Sequence, residues 1–230
     1  MKKLPAAVGL SAVTLSLILA GCSTKTETKP EAASATTSAA AQSESALAVP
    51  DMPTGPHKTI ADYVTENKII ETPVKQGDAD APKFDFAKPA DWKAAGARKP
   101  EWAYGAIIYD KPKDPKDPPF ITAIVSKLSG NVDAAKVLEY APGLLQNLPG
   151  YEQDGDVQKS SLSGYDGTVF QGSYLRDNVR RYIAQQTIVI PATDGALFVL
   201  QLNADSPMGQ EQVIRDAAKA IQAGTKITAP

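Results

Sequence analysis

The chain has 230 residues, with 24 Lys and Arg against 26 Asp and Glu, one His and one Cys. An N-terminal leader holding Lys2 and Lys3 would leave 22 basic residues against 26 acidic ones after its removal. Such a mildly acidic remainder lacks the basic footprint of a nucleic-acid binder. One cysteine excludes a disulfide framework, and one histidine leaves little from which to build a zinc site.

Lys2 and Lys3 are followed by an apolar run from Leu4 to Ala20, broken only by small polar residues such as Ser11, Thr14 and Ser16. That is the layout of an export signal, residues 1–21. The run ends in Leu19-Ala20-Gly21-Cys22, which resembles the bacterial lipobox, whose cysteine takes a diacylglycerol and becomes the first residue after cleavage. Two acyl chains give durable anchoring, since each buried methylene contributes ~0.8 kcal/mol. The expected location is therefore the exported, periplasmic side of the plasma membrane, with Cys22 as the lipidation site and the membrane as the first partner. Residues 22–56 are rich in Ser, Thr, Ala, Glu, Lys, Gln and Pro and bury too little to offset ordering entropy. They read as a disordered tether with an r.m.s. reach of roughly 30 Å.

Residues 57–230 read as one domain. Thr59 and Asp62 form a capping-box pattern ahead of the stripe Ile60, Tyr63, Val64, Asn67, which predicts a short helix over 60–67. Phe84-Asp85-Phe86 predicts a short strand. Glu101 to Tyr109 predicts a central strand with Trp102 and Tyr104 on one face. The four prolines of DKPKDPKDPP, 110–119, predict a stiff exposed hairpin loop, and Phe120 to Leu128 the returning strand. A helical pattern starts at Asp133. Pro142 lies inside it, so the helix either kinks there or ends near Tyr140 and restarts. Four strands follow, 152–160, 165–176, 179–190 and 196–203, separated by short turns that imply an antiparallel meander. Ser206-Pro207 reads as the start of a last helix ending at Gly224. The order fits an α+β domain, a central antiparallel β-sheet covered by helices.

Several segments, TIADYVTENKI, PEWAYGAIIYD, AIVSKLSGNVD, LEYAPGLLQNLPG and FVLQLNAD, are similar to the LpqN/LpqT family of actinobacterial lipoproteins. The resemblance spans most of 57–227 and the lipobox. It implies a Mog1/PsbP-like α/β/α sandwich, a place in the cell envelope, binding of trehalose-type glycolipids, and contact with membrane transport proteins that export mycolates. It brings no catalytic motif.

The residues themselves offer little chemistry. His57 lies at the end of the tether rather than beside a nucleophile, and no G-x-S-x-G, G-x-G-x-x-G or Walker pattern occurs. Asp154, Asp156 and Asp166 sit beside glycines; turn aspartates are the ordinary explanation, with a weak calcium site or a carboxylate pair as alternatives. No cofactor, metal or enzymatic activity is expected. Arg176, Arg180 and Arg181 surround the Asp177-Asn178 turn, where they are either solvated or able to hold a phosphate, carboxylate or sugar. Trp92, Trp102, Tyr104 and Tyr140, with Leu144 and Leu145, could line a groove between sheet and helix for a sugar and an acyl chain, or simply fill a core. A glycolipid-holding envelope lipoprotein is the first reading. A protein-protein adaptor using the 110–119 loop is the second, and a carboxylate enzyme the third.

Overall fold

The computed structural model describes residues 53–230. The leader, Cys22 and the tether up to residue 52 lie outside the described residues.

Helix α1 (Ile60–Glu66) begins with the capping box expected from sequence. Thr59 N donates to Asp62 Oδ2 at 2.8 Å, and Asp62 N donates to Thr59 Oγ1 at 3.1 Å. The Thr59 N bond, and then a bond from Thr59 Oγ1 at 2.8 Å, hold the Asp62 carboxyl below its usual range. Strands β1 (Ile70–Pro73), β2 (Lys83–Asp85) and β3 (Trp92–Ala94) follow. Strand β4 (Gly105–Tyr109) and β5 (Phe120–Ser129) form a hairpin through the proline-rich loop. Helices α2 (Ala134–Tyr140) and α3 (Gly143–Gln146) come next, then β6 (Glu152–Gln153) and β7 (Gln158–Leu162). Long strands β8 (Tyr165–Arg176), β9 (Val179–Pro191) and β10 (Leu197–Pro207) form the expected meander. Helix α4 (Glu211–Gly224) and β11 (Lys226–Thr228) end the chain.

Nine strands make one antiparallel sheet in the order β3-β4-β5-β10-β9-β8-β6, with β1 also on β5 and β7 also on β8. The two-residue turns Ser163-Gly164 and Asp177-Asn178 have positive φ at both positions, 54° and 86°, then 51° and 61°. That conformation matches the twist of the strands they join, which is why Asn, Asp and Gly occupy such turns. Side chains alternate across β10. Phe198, Leu200 and Leu202 pack with Ile188, Ile190 and the Ile214, Ala217 and Ile221 stripe of α4. Leu197 and Val199 pack on the other face with Leu128, Val189, Tyr63 and Val137, under α1 and α2. Ala141, Leu145 and Phe170 extend that second face under α3. Helices therefore flank both faces. Each fully buried Leu, Ile or Phe of these layers contributes ~1.5–3 kcal/mol.

Several expectations are corrected. The strand expected over 101–109 begins at Gly105, because Pro100 sets a turn in which Ala103 N donates to the Pro100 carbonyl at 3.1 Å. Trp102 and Tyr104 therefore precede the strand. The strand expected over 152–160 is two pieces, interrupted around Gly155 with its φ of 76°. Ser206-Pro207 does not start a helix. It continues β10, paired with Tyr182 and Arg181, and α4 starts four residues later at Glu211. Pro142 resolves as a stop and restart: α2 ends at Tyr140 and α3 begins at Gly143.

The 110–119 loop is exposed over most of its length, as expected, but its C-terminal end is not. Pro118 and Pro119 are buried, and Lys113 N donates to Gln210 Oε1 at 3.1 Å. Asp117 pairs with Arg181 and, at 3.2 Å, with Arg176.

Candidate ligand groove

The break at Pro142 separates α2 from α3, and the chain that leads into α1 passes against the start of α3. Gly143 takes that chain directly: a Cβ there would sit 2.0 Å from the Lys58 carbonyl oxygen. The next contact is a clasp, with His57 N donating to Asn147 Oδ1 at 3.1 Å and Asn147 Nδ2 donating to the His57 carbonyl at 2.7 Å. Gly55 lies against the same asparagine. Residues 55–58 are thereby fixed to α3.

Between this segment, α2 and α3 on one side and β7 and the start of β8 on the other lies an open groove of ≈ 760 Å³. One wall carries Leu138, Tyr140 and Pro142; the other carries Val157, Lys159, Asp166 and Thr168. Tyr140 is held in place. Its ring lies 5.8 Å from that of Tyr63, and the ammonium groups of Lys58 and Lys136 sit 4.8 and 5.6 Å from its centroid. Lys58 also pairs with Glu66 and Lys136 with Glu139, so both remain protonated, their pKa values raised first by those hydrogen bonds. Val157 is 38% exposed, an apolar side chain presented to the groove. On the β8 wall, Thr168 Oγ1 is buried and has no hydrogen-bond partner among the described residues. A mainly apolar concavity with scattered polar groups is the usual form of a small-molecule site.

A second, narrower cavity of ≈ 270 Å³ lies between α4 and the sheet. Ile121, Leu202, Ala204, Ile214 and Ile221 make it apolar, with Gln186, Lys219 and Gln222 at its mouth. Ser160, on the edge strand β7, lines both the cavity and the groove, which lie on opposite faces of the sheet.

The structure separates the residues singled out from sequence. Tyr140 lines the larger groove. Leu145 is buried beneath α3, and Leu144 packs against the same cluster. Trp92 and Tyr104 are buried on the α4 face; Tyr104 meets Phe84 edge-on at 5.3 Å, and Trp92 lies 5.8 Å from Tyr109. Trp102 is half-buried in the turn before β4. None of these three lines either cavity.

The arginines are engaged within the protein. Arg181 is 3% exposed and bridges Asp117 and Asp205. Burial alone would lower its pKa, but the hydrogen bonds it donates to Asp205 and Asp117 outweigh burial and raise it. Arg176 shares both carboxylates. Arg180 donates to the Gly150 carbonyl and pairs with Glu152 at 2.7 Å. Tyr174 completes the cluster, donating to Asp205 Oδ2 at 2.6 Å; burial and then the Asp205 charge push its pKa up to about 12. A solvated hairpin end, the simplest expectation for these arginines, is therefore not what forms at Arg181.

Asp154 and Asp156 lie between β6 and β7, whereas Asp166 is a strand residue paired with Ser161. No group of three His, Cys, Asp or Glu among the described residues is placed to hold a metal ion. Sequence reasoning missed Lys58, Val157, Lys159 and Thr168 as wall residues. The one available signal was Val157, an apolar residue in the polar run Asp154 to Ser161.

A helix-flanked antiparallel sheet with an open groove places the domain among small α+β domains, and comparison narrows it. The family described as "Probable lipoprotein LpqN" matches residues 56–228, and the chain belongs to that family. It is 47% identical over 176 residues to lipoprotein LpqN of Mycobacterium tuberculosis, covering 76% of this chain and 75% of that protein. It also superposes on the crystal structure of the M. tuberculosis LpqN described as involved in cell envelope biogenesis. That match has a TM-score of 0.72 at 47% identity and covers 76% of this chain and 99% of that one. Membership in a lipoprotein family supports a lipid-modified N-terminus. Among the described residues no helix is long and apolar enough to cross a membrane.

Proposed function

We propose that the protein is a non-enzymatic, lipid-anchored component of the cell envelope that holds a glycolipid of the trehalose-ester type and assists envelope lipid transport or biogenesis. The groove between α2, α3 and β7–β8 is the observation that carries this reading. Its ≈ 760 Å³ lies within the ~300–1,000 Å³ common for ligand sites. A sugar would meet the fixed Tyr140 ring and the polar groups of Lys159 and Asp166. The acyl chain would follow Val157 around the edge strand β7 into the apolar cavity beneath α4, on the opposite face of the sheet. The relative's role in cell envelope biogenesis supports the same setting. The helix-flanked sheet supports the Mog1/PsbP-like architecture that the family resemblance implies. Anchoring would run through a diacylglycerol on Cys22.

The test is native mass spectrometry of the mature chain carrying Cys22→Ser with trehalose monolaurate, free trehalose and lauric acid. Retention of the ester above both fragments, reduced by Tyr140→Ala, is the expected result. Equal or no retention counts against the reading, and turnover of the ester refutes the non-enzymatic part.

The proline-rich loop favours a second, compatible role. Its base is clamped through Asp117 and Lys113 while Lys111, Asp114, Pro115 and Lys116 stay exposed. Such a preordered tip suits contact with a membrane transport protein at low entropic cost. Replacing 111–116 with Gly-Ser should abolish capture of a cross-linked partner while leaving ester binding intact.

A further inference from the structure

We infer that residues 46–52 of this same chain dock into the groove when it holds no ligand. From Ser23 to Met52 the chain contains only three large apolar residues, and all three, Leu47, Val49 and Met52, fall within six positions of one another at its end. A tether needs no such cluster. The cluster directly precedes the groove wall, because the described chain starts at Pro53, Gly55 lies on Asn147, and His57 and Lys58 line the groove. At no more than ~3.6 Å per residue, Met52 stays within about 18 Å of His57 and Leu47 within about 36 Å, so the cluster reaches every part of the groove.

The segment also suits an extended strip. Val49 precedes Pro50, which biases it toward extended backbone. In an extended strand Leu47 and Val49 share a face. The groove offers them Val157, 38% exposed, with half-buried Leu138 and Tyr140 opposite. A short connection gives an effective concentration of the order of mM, so even a weak contact is populated. The segment would then compete with an incoming ligand, lowering its apparent affinity about 2–10-fold; this consequence, unlike the docking itself, rests on reading the groove as the ligand site.

The test uses the mature chain, residues 22–230, with Cys22→Ser and a nitroxide attached through Ser45→Cys. Without ligand, paramagnetic broadening should appear at the amides of Leu138, Tyr140, Asp166 and Thr168, independent of protein concentration. The triple substitution Leu47→Ser, Val49→Ser, Met52→Ser should abolish it and tighten trehalose monolaurate binding about 2–10-fold. Docking is overturned if those amides are not broadened, if the triple substitution leaves the broadening unchanged, or if the broadening scales with protein concentration, which would mark a second copy as the occupant. Broadening without monolaurate binding to either form would sustain the docking and sink the glycolipid reading. Equal binding by both forms with no broadening would do the reverse.

Discussion

Substituting Arg181→Met should destabilise the domain by about 2–3 kcal/mol and loosen the 110–119 loop without touching the groove. Arg181 is 3% exposed, and it is the shared partner of Asp117 and Asp205. Removing one member of a fully buried pair costs ~3–5 kcal/mol because the remaining charge is left unpaired. Here the remaining charges are only partly stranded. Asp117 is 39% exposed and reaches water, while Asp205, 21% exposed, keeps the Tyr174 hydroxyl at 2.6 Å and Arg176 at 3.4 Å. Methionine fills most of the vacated volume, so the cavity contribution is small. Urea unfolding followed by tryptophan fluorescence measures the loss. A cycle with Asp117→Asn should give a coupling of about 1–2 kcal/mol. Trypsin should cut after Lys113 and Lys116 faster in the variant. A loss below about 0.5 kcal/mol, or unchanged cleavage, would refute the view that these arginines clamp the loop, and would return them to the pool of ligand-binding candidates.

Gly143→Ala should cost more than an ordinary surface change, about 1–3 kcal/mol, because its Cβ would overlap the Lys58 carbonyl; amide shifts at residues 55–58 would report the displacement. Thr168→Val should be neutral or stabilising by up to about 1 kcal/mol, since it removes a buried hydroxyl with no partner among the described residues, and a clear loss in thermal melting would contradict this. Alkaline stability should fall between pH 10 and 12. Burial, then the nearby Asp154 and Asp205 charges, push Tyr151 and Tyr174 up to about 12 in the folded state, against about 10 unfolded. The unfolded chain therefore releases these protons first, and the stability they contribute below pH 10 is lost as pH rises through that window, by at most about 1.4 kcal/mol per pH unit for each tyrosine. Tyr174→Phe should flatten the slope measured by urea titration, and an unchanged slope would sink the assignment.

What sequence made legible was local. The Thr59–Asp62 box, the two tight turns and the meander of β8 to β10 that such short turns imply each rest on signals within a few residues, and each appears as expected. Pro142 was ambiguous because a proline both kinks and ends helices; the approach of Lys58 to Gly143, 85 residues along in the numbering, accompanies the stop. Ser206-Pro207 imitates a helix cap, but pairing with Tyr182 and Arg181 overrides that local preference. Short β1, β3 and β11 had too few residues for a periodic signal. The groove was invisible for a related reason. Its walls come from residues 57–58, 135–146 and 157–168, brought together only by the Asn147 clasp and the sheet. The tryptophans stood out by residue type, yet at Trp92 the fold uses the ring for core packing.

The most direct test of the account is an NMR titration of the mature Cys22→Ser chain with trehalose monolaurate. The account predicts saturable shifts concentrated at residues 138–143 and 157–168, weaker ones beneath α4 near Ala218, and none around Arg176–Arg181. Shifts centred on the hairpin tip or on Trp102, or no saturable shifts at all, would contradict it.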